Sequence, residues 1–257
     1  MAQTVKPVQL QPPTVKAFDT YIRAAETEME QSLRGSGPFL WSDLAPARVE
    51  EVARGRVLVQ LWSGKGPVKV PNGLIHDWIG AILVPNSTIH EVLTVIQQYD
   101  NHKNLYQPEV IDSKLTRRDG NHFQIYLRIL KKKIITVVLD TEHEVQYRAV
   151  DRKRWVCHSH TTRIAEVEHA GTRDEQVFQS DTGFGFLWRL HSYWRFEERS
   201  LGVVVECRAI SLTRDIPRGL GWIVEPIIQK LPKESLIKTL EATRQALHVR
   251  TKMPLRT

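Results

Sequence analysis

The sequence has few of the residues and motifs on which metal binding and catalysis usually depend. Cys157 and Cys207 are the two cysteines among 257 residues, and no Cys/His spacing resembles a zinc site. We expect both thiols to be buried and free, although a single disulfide between them stays open. No Ser-His-Asp arrangement, Gly-rich phosphate loop or nucleotide motif is present, and one Asp-Thr-Gly without a second copy does not indicate an aspartic protease. We therefore assign no catalytic residue, cofactor or metal ion.

Long apolar runs are missing as well, and the balance of charge is basic. No run of about eighteen apolar residues occurs, so the sequence predicts no membrane-spanning helix. The formal net charge is +7, which allows loose attraction to an anionic membrane but indicates no specific nucleic-acid recognition. The first residues, "MAQTV", contain no secretion signal and resemble the start of a mature protein whose signal has been removed. We therefore expect an extracytoplasmic location in preference to a cytoplasmic one.

The sequence predicts that residues 1–72 form a helical extension. Its first thirteen residues are polar and contain prolines, so we expect them to be mobile. From Thr14 to Leu33 apolar residues recur at steps of three and four, and Gly35 suits the end of this helix. A second, short helix is expected after "SDLAP", and "RVLVQLW" is the first strand candidate.

Residues 73–214 read mainly as strands. The apolar segment 73–85 predicts a buried strand, and Thr88 and Glu91 then form a capping box that starts a helix. Turn signals divide the chain after Pro108 into strands near 109–117, 121–131, 134–149, 153–168, 185–198 and 202–214. The last segment has a helical period, with Leu236, Leu240 and Leu247 on one face and Pro232 near the first turn.

Two of these strands have one face of small or weakly polar residues. This face carries Ser159 in the first strand and Ala209 and Ser211 in the second, whereas the other face carries charges such as Glu206 and Arg208. Charged faces usually point to water, so we expect the small face to point inward. Protein interiors are packed at near-crystalline density, so such a face either accepts a close helix or leaves a cavity. We favour a ligand-sized cavity, the alternative being that neighbouring aromatic side chains fill the space.

The order of elements resembles the START-like superfamily, also known as the polyketide cyclase/dehydrase-like helix-grip fold. The resemblance rests on "LVPNSTIHEVLTVIQQYDNHKNLYQPEVIDSKL" and on "RGLGWIVEPIIQKLPKESLIKTLEATRQAL", and it covers about residues 73–248. It implies an α+β domain over 73–250, in which a curved antiparallel sheet of about seven strands wraps a long C-terminal helix around a hydrophobic tunnel. The N-terminal helices of residues 1–72 lie outside it.

Three functions are consistent with this resemblance. The first, which we favour, is non-enzymatic binding of a hydrophobic small molecule or lipid by a carrier, sensor or chaperone. The second is a cyclase- or dehydratase-type enzyme that acts on a polyketide-like or other apolar substrate and uses a group such as His143. The third is a protein-interaction module with a filled interior. Proteins with the same fold can have any of these three activities, so the resemblance does not decide among them.

The sequence also predicts which residues would contact a ligand and which would meet a membrane. The ligand-binding candidates are Trp78, Ile125, His143, Trp155, Ser159, Arg163, Trp188, Trp194, Ala209 and Ser211. Arg163 is expected to point inward, where it would need a carboxylate, a helix C-terminus or an acidic ligand as its partner. A basic rim would consist of Arg117, Arg118, Arg152, Lys153, Arg154 and Arg199. Such a rim is usually a solvated surface, and the alternative is a docking site for an anionic membrane surface.

His158 and His160 form the most conspicuous polar cluster. If the chain turns near residue 151, Glu144 faces His158 and Glu142 faces His160. Two imidazoles and two carboxylates on one face could ligate a divalent metal ion. They could equally form cross-strand charge pairs worth about 0.2–1 kcal/mol, and this second interpretation is the one we favour.

Overall fold

The computed structural model describes residues 6–132, 136–215 and 221–251, and within the last helix it describes the side chains of 231–248. The helices of the described residues are α1 (Pro12–Arg34), α2 (Pro46–Ala53), α3 (Ile89–Ile96), α4 (His102–Leu105) and α5 (Gly221–Thr251). The strands are β1 (Val8–Gln9), β2 (Leu58–Leu61), β3 (Val68–Val70), β4 (Gly73–Pro85), β5 (Val110–Asp119), β6 (His122–Lys132), β7 (Thr136–Ala149), β8 (Arg154–Glu168), β9 (Gln176–Val177), β10 (Thr182–Gly183), β11 (Arg189–Arg199) and β12 (Gly202–Arg214). No helix in this part of the chain combines the length and apolar character needed to cross a bilayer.

Ten of the described strands form one antiparallel sheet that wraps helix α5. The order is β2-β4-β12-β11-β8-β7-β6-β5, with β3 paired to β4 and β9 to β8. Its seven long strands are those that the sequence predicts between residues 73 and 214. Leu236, Leu240 and Leu247 of α5 are buried in the main hydrophobic core against the sheet. The architecture is the predicted helix-grip fold, a curved antiparallel sheet around a long C-terminal helix, and we call the side of the sheet that faces α5 its inner face.

Helix α5 is longer than expected and lies very close to β4. It begins at Gly221, so Pro232 is in its interior and not in its first turn. Proline is unfavourable inside a helix because it has no N–H to donate, and here the packing of the helix overrides that preference. At Gly80 of β4, an added Cβ atom would lie 2.7 Å from Leu240 Cδ1. The missing side chain therefore allows the helix to pack directly onto this strand.

Helices α3 and α4 close one end of the sheet. The predicted capping box at the start of α3 is confirmed, since the Thr88 N–H donates to Glu91 Oε2 at 2.8 Å and the Glu91 N–H donates to Thr88 Oγ1 at 3.3 Å. The apolar side of α3 packs into the main core. Just beyond it, the ring of Tyr99 lies 5.2 Å from that of Phe123 at the start of β6.

The N-terminal extension covers part of the outer face of the sheet. Phe18 and Ile22 of α1 are buried in a second core with Ile210 and Leu212 of β12. The expectation that the first thirteen residues are mobile is wrong for residues 8–10, because β1 pairs with β10 and the Leu10 N–H donates to the Asp181 carbonyl at 2.8 Å.

Charged residues on the covered outer face are buried instead of exposed to water. Glu206 is 1% exposed, and its carboxylate accepts the backbone N–H groups of Trp41 at 2.8 Å and Ser42 at 2.7 Å. Arg208 is 4% exposed and is paired with Asp77. The sequence pattern assigned this face correctly to the outside of the sheet but did not show that the extension covers it.

The register of β7 and β8 corrects two predictions. The chain turns at Arg152 and not at residue 151, so Glu144 faces His160, and the partner of His158 is Gln146. A β-bulge then leaves Thr162 unpaired and reverses the alternation of side chains along the rest of β8. Arg163 therefore points outward, with Nη1 3.4 Å from Glu142 Oε1. Beyond the bulge, the inner face carries Glu166, whose carboxylate accepts the backbone N–H groups of residues 184–186.

Candidate ligand-binding cavity

A cavity of about 380 Å³ lies between the inner face of the sheet and helix α5. Small-molecule sites usually span about 300–1,000 Å³ and are lined mainly by apolar side chains with a few polar groups. Strands β6, β7 and β11 and helix α5 supply much of the apolar wall here, namely Ile125, Leu127, Leu139, Val145, Leu190 and Leu236. The cavity therefore has the size and character of a site for a small, largely apolar molecule.

The space exists because small residues meet across three neighbouring strands. Ser192 of β11 pairs with Ser159 of β8 on one side and with Ala209 of β12 on the other. In the next row Ser211 pairs with Leu190. All five residues line the cavity, so the prediction that the small face points inward is confirmed. The four small side chains of this patch leave room between the sheet and α5.

Hydroxyl groups at the α3–α4 end of the cavity bond to one another or to α5. The Tyr99 and Tyr147 hydroxyls are 2.9 Å apart, and the Tyr106 hydroxyl is 3.1 Å from Thr243 Oγ1. Burial is the main cause that raises the pKa of Tyr99 and Tyr147 well above the usual value. These phenols therefore stay protonated, and this end of the cavity carries no charge from them.

A charged group lies toward the opposite end, where strand β6 finishes. Lys131 forms an ion pair with Glu109 and donates to Ser235 Oγ at 2.8 Å. Lys238 of α5 also reaches Glu109, at 3.0 Å. Burial lowers the pKa of Lys131, while the attraction of Glu109 opposes the shift. This group brings hydrogen-bond donors to one end of an otherwise apolar space.

His143 is the predicted imidazole inside the cavity. It is buried, and its Nε2 is 2.9 Å from Thr141 Oγ1. Burial is the main cause that lowers the pKa of His143 to about 4, so it is neutral near pH 7. His76 is also on the inner face and lies 3.0 Å from Thr213 Oγ1, whereas Asp77 points to the outer face. His76 and Asp77 therefore do not form an acid–base pair, as expected for neighbours on a strand.

Both cysteines line the cavity and are free, as predicted. Cys157 and Cys207 lie opposite Trp194 on the two strands that flank β11. Burial raises the pKa of both thiols. They are therefore uncharged components of an apolar wall.

The structure brings six of the ten predicted contact residues into the cavity wall. These are Ile125, His143, Ser159, Trp194, Ala209 and Ser211. Trp78 and Trp155 pack against the same core but do not line the cavity. Trp188 lies in the second core, under α1, because β11 starts only at Arg189 and the alternation of its side chains does not extend back to Trp188. Arg163 lies outside because of the bulge in β8.

The charged group at Lys131 and Glu109 was not among the site residues predicted from the sequence. A signal for Lys131 was available, since Phe123, Ile125, Leu127 and Ile129 alternate along β6 and place Lys131 on the same face. No comparable signal exists for Glu109, which precedes β5 and meets Lys131 only in the folded chain.

Part of the predicted basic rim is paired with carboxylates. Arg154 contacts Asp151 at 2.6 Å, and Arg199 contacts both Asp43 and Glu197. Attraction of this rim to an anionic membrane stays a prediction.

Neither a protein-family model nor a curated protein matches the sequence. Solved structures match the fold. A STAR-related lipid transfer protein from Xanthomonas axonopodis is 16% identical over 72% of this chain and 99% of its own, with a TM-score of 0.49. The Zhui aromatase/cyclase from Streptomyces sp. R1128 is 8% identical over 69% and 96%, also with a TM-score of 0.49. Human STARD10 is 10% identical over 73% and 76%, with a TM-score of 0.45. These are similarities of fold.

Proposed function

We propose that this protein binds a hydrophobic small molecule or lipid in the cavity between the sheet and α5. The observation that carries the proposal is the register of Ser159, Ser192 and Ala209, which leaves an apolar-walled space of about 380 Å³ beside the helix. A core optimised for stability alone would fill this volume, because side-chain contacts are lost wherever a void remains.

The two ends of the cavity suggest how such a molecule would lie. Its apolar part would follow Ile125, Val145 and Leu236 toward the α3–α4 end. A polar end group would lie near Lys131 and Ser235, where donors are available. The favoured ligand is therefore an amphipathic molecule with one long apolar part.

The polar groups in the cavity wall are more consistent with binding alone than with an enzymatic function. Proton transfer needs an acid or base whose pKa lies near the working pH. His143 has a pKa of about 4 and already bonds to Thr141, and Glu109 is held between Lys131 and Lys238. A function limited to protein interaction is less consistent with α1, whose apolar side is buried on the chain's own sheet.

The test compares the purified wild type with variants that fill the cavity. Native mass spectrometry would detect a co-purified lipid, and displacement of an environment-sensitive dye by long-chain lipids would measure binding. Ala209→Leu and Ser211→Leu should weaken binding at least tenfold. Thr162→Leu is the control, because Thr162 is exposed on β8.

The stability of the same variants separates a cavity from a filled core. Adding methylene groups to a packed core costs about 1–3 kcal/mol, whereas filling an empty space costs less. The proposal fails if no lipid is carried, no dye binds and Ser211→Leu strongly destabilises the fold.

A further inference from the structure

A cluster of imidazoles and a carboxylate lies outside the cavity, on the outer face of the sheet beneath helix α1. His158 of β8 and His191 of β11 bring Nε2 and Nδ1 to within 3.2 Å of each other. Glu26 of α1 reaches over them, with its Oε1 3.8 Å from His158 Nε2. One ligand atom from each of the three residues lies within 4.8 Å of the others.

This set differs from the one that the sequence suggested. His160 faces Glu144 at 3.7 Å, and Glu142 pairs with Arg163, so the four residues considered first do not converge on one point. The carboxylate that completes the observed cluster comes from the N-terminal extension. Its position could not be read from the strand pattern.

The spacing fits three positions of a tetrahedral metal site, in which a water molecule would be the fourth ligand. Zinc binds imidazole nitrogen at about 2.0–2.1 Å and carboxylate oxygen at about 2.0–2.2 Å, so neighbouring ligand atoms in a tetrahedral site lie about 3.4 Å apart. The observed separations of 3.2 and 3.8 Å lie on either side of this value. Two imidazoles and one carboxylate are also a donor set that suits zinc.

A neighbouring hydroxyl holds the carboxylate in place. The Tyr193 hydroxyl donates to Glu26 Oε1 at 2.9 Å and lies 3.2 Å from His191 Nδ1. The Tyr193 ring also stacks on His158, with centroids 4.5 Å apart. Groups that orient metal ligands in this way are a regular part of protein metal sites.

We propose that Glu26, His158 and His191 bind one zinc ion that links helix α1 to the outer face of the sheet. The two histidines belong to adjacent strands of the sheet and the carboxylate to the extension, so the ion would hold the extension to the domain. A ligand that binds the folded chain and not the unfolded one stabilises it. Zinc should therefore raise the melting temperature, independently of any molecule in the cavity.

The experiment uses the full chain without a histidine tag, treated with a chelator and dialysed. Titration with Co²⁺ should give the intense visible bands of four-coordinate cobalt, with saturation at one ion per chain and loss of the bands on addition of one equivalent of Zn²⁺. Glu26→Gln keeps an acceptor for Tyr193 but removes the anionic ligand. It should weaken Zn²⁺ binding by more than about 100-fold, beyond the 10–100-fold effect typical of outer-shell changes. His191→Gln should act likewise.

His90→Gln is the control, because His90 is exposed on α3, away from the cluster. This variant should bind Zn²⁺ like the wild type, and circular dichroism should show that all variants are folded. Glu26 is 41% exposed, so its replacement by glutamine should leave the fold intact. The proposal is overturned if cobalt gives no such bands, or if Glu26→Gln binds Zn²⁺ as tightly as the wild type. In either case a hydrogen bond between the two imidazoles accounts for their contact.

Discussion

The buried ion pair between Asp77 and Arg208 allows a sharp test of how the extension and the sheet hold together. The Asp77 carboxylate accepts from Arg208 Nε at 3.0 Å and from Nη2 at 2.7 Å, and it also accepts the Tyr21 hydroxyl at 2.8 Å. The side chains of Arg208 and Asp77 are 4% and 5% exposed. Arg208 also lies 3.9 Å above the ring of Trp62 and 3.3 Å from the half-exposed Glu28.

Asp77→Asn removes the charge but keeps the shape of the side chain and an acceptor for Tyr21. Breaking a buried pair by removing one partner costs about 3–5 kcal/mol, because the other charge is left buried. Glu28 remains as a second partner for Arg208 and, as an exposed pair, offsets up to about 1 kcal/mol. We therefore expect the free energy of unfolding to fall by about 2–4 kcal/mol. For a domain of this size a loss of about 3 kcal/mol lowers the melting temperature by about 6–12 °C.

Urea unfolding followed by circular dichroism measures this loss. If the dependence of the free energy of unfolding on urea concentration is the same as in the wild type, the variant exposes a similar surface on unfolding. Glu28→Gln is the matched control and should cost less than about 1 kcal/mol. The double variant Asp77→Leu/Arg208→Met removes both charges and should be more stable than Asp77→Asn. If Asp77→Asn loses no more stability than Glu28→Gln, the buried pair contributes no more than the exposed one and the expected loss is wrong.

Three further predictions concern the extension, the buried histidines and the closest helix–sheet contact. Deleting residues 1–35 removes Phe18 and Ile22, whose burial stabilises the fold by roughly 1.5–3 kcal/mol each. The deletion should therefore lower the melting temperature, and an unchanged melting curve would show that α1 does not stabilise the domain. Burial lowers the pKa of His76 from 6.5 to about 4. As the pH falls from about 6.5 toward about 4, the imidazole is therefore protonated in the unfolded chain but not in the folded one, and the folded state loses stability. In urea unfolding, His76→Gln should therefore lose less stability than the wild type between about pH 7 and about pH 5. Gly80→Ala places a Cβ atom 2.7 Å from Leu240 Cδ1 and should cost about 1–3 kcal/mol in the same assay, whereas a neutral result would mean that the helix adjusts freely.

The order of elements could be read from the sequence because its signals are local. The capping box at Thr88, the alternation along each long strand and the helical period near Leu240 depend on neighbours a few residues away. The small inner face of β8 and β12 was visible for the same reason. Alternation assigns residues to faces, and this was enough to place Ser159, Ala209 and Ser211 in the cavity wall.

The features that the sequence could not show depend on contacts between distant segments. One unpaired residue at Thr162 reverses the side-chain phase and moves Arg163 to the other face, and no residue type marks that position. Glu206 resembles a water-facing residue until the backbone of residues 41–42 covers it. Glu26 joins His158 and His191 only because α1 crosses those strands. Each of these features is set by long-range packing.

The positions of Cys157 and Cys207 on either side of Trp194 give the cavity its own chemical reporters. Adjacent strands lie about 4.8 Å apart, so both thiols lie close to the indole. Cys157 and Cys207 are the two cysteines of the chain, and both are targets for a small maleimide. Because burial keeps them protonated, they should react slowly, at a rate set by how often the wall opens. Opening of the interior can thus be followed by maleimide modification of the wild-type chain, without introducing a cysteine.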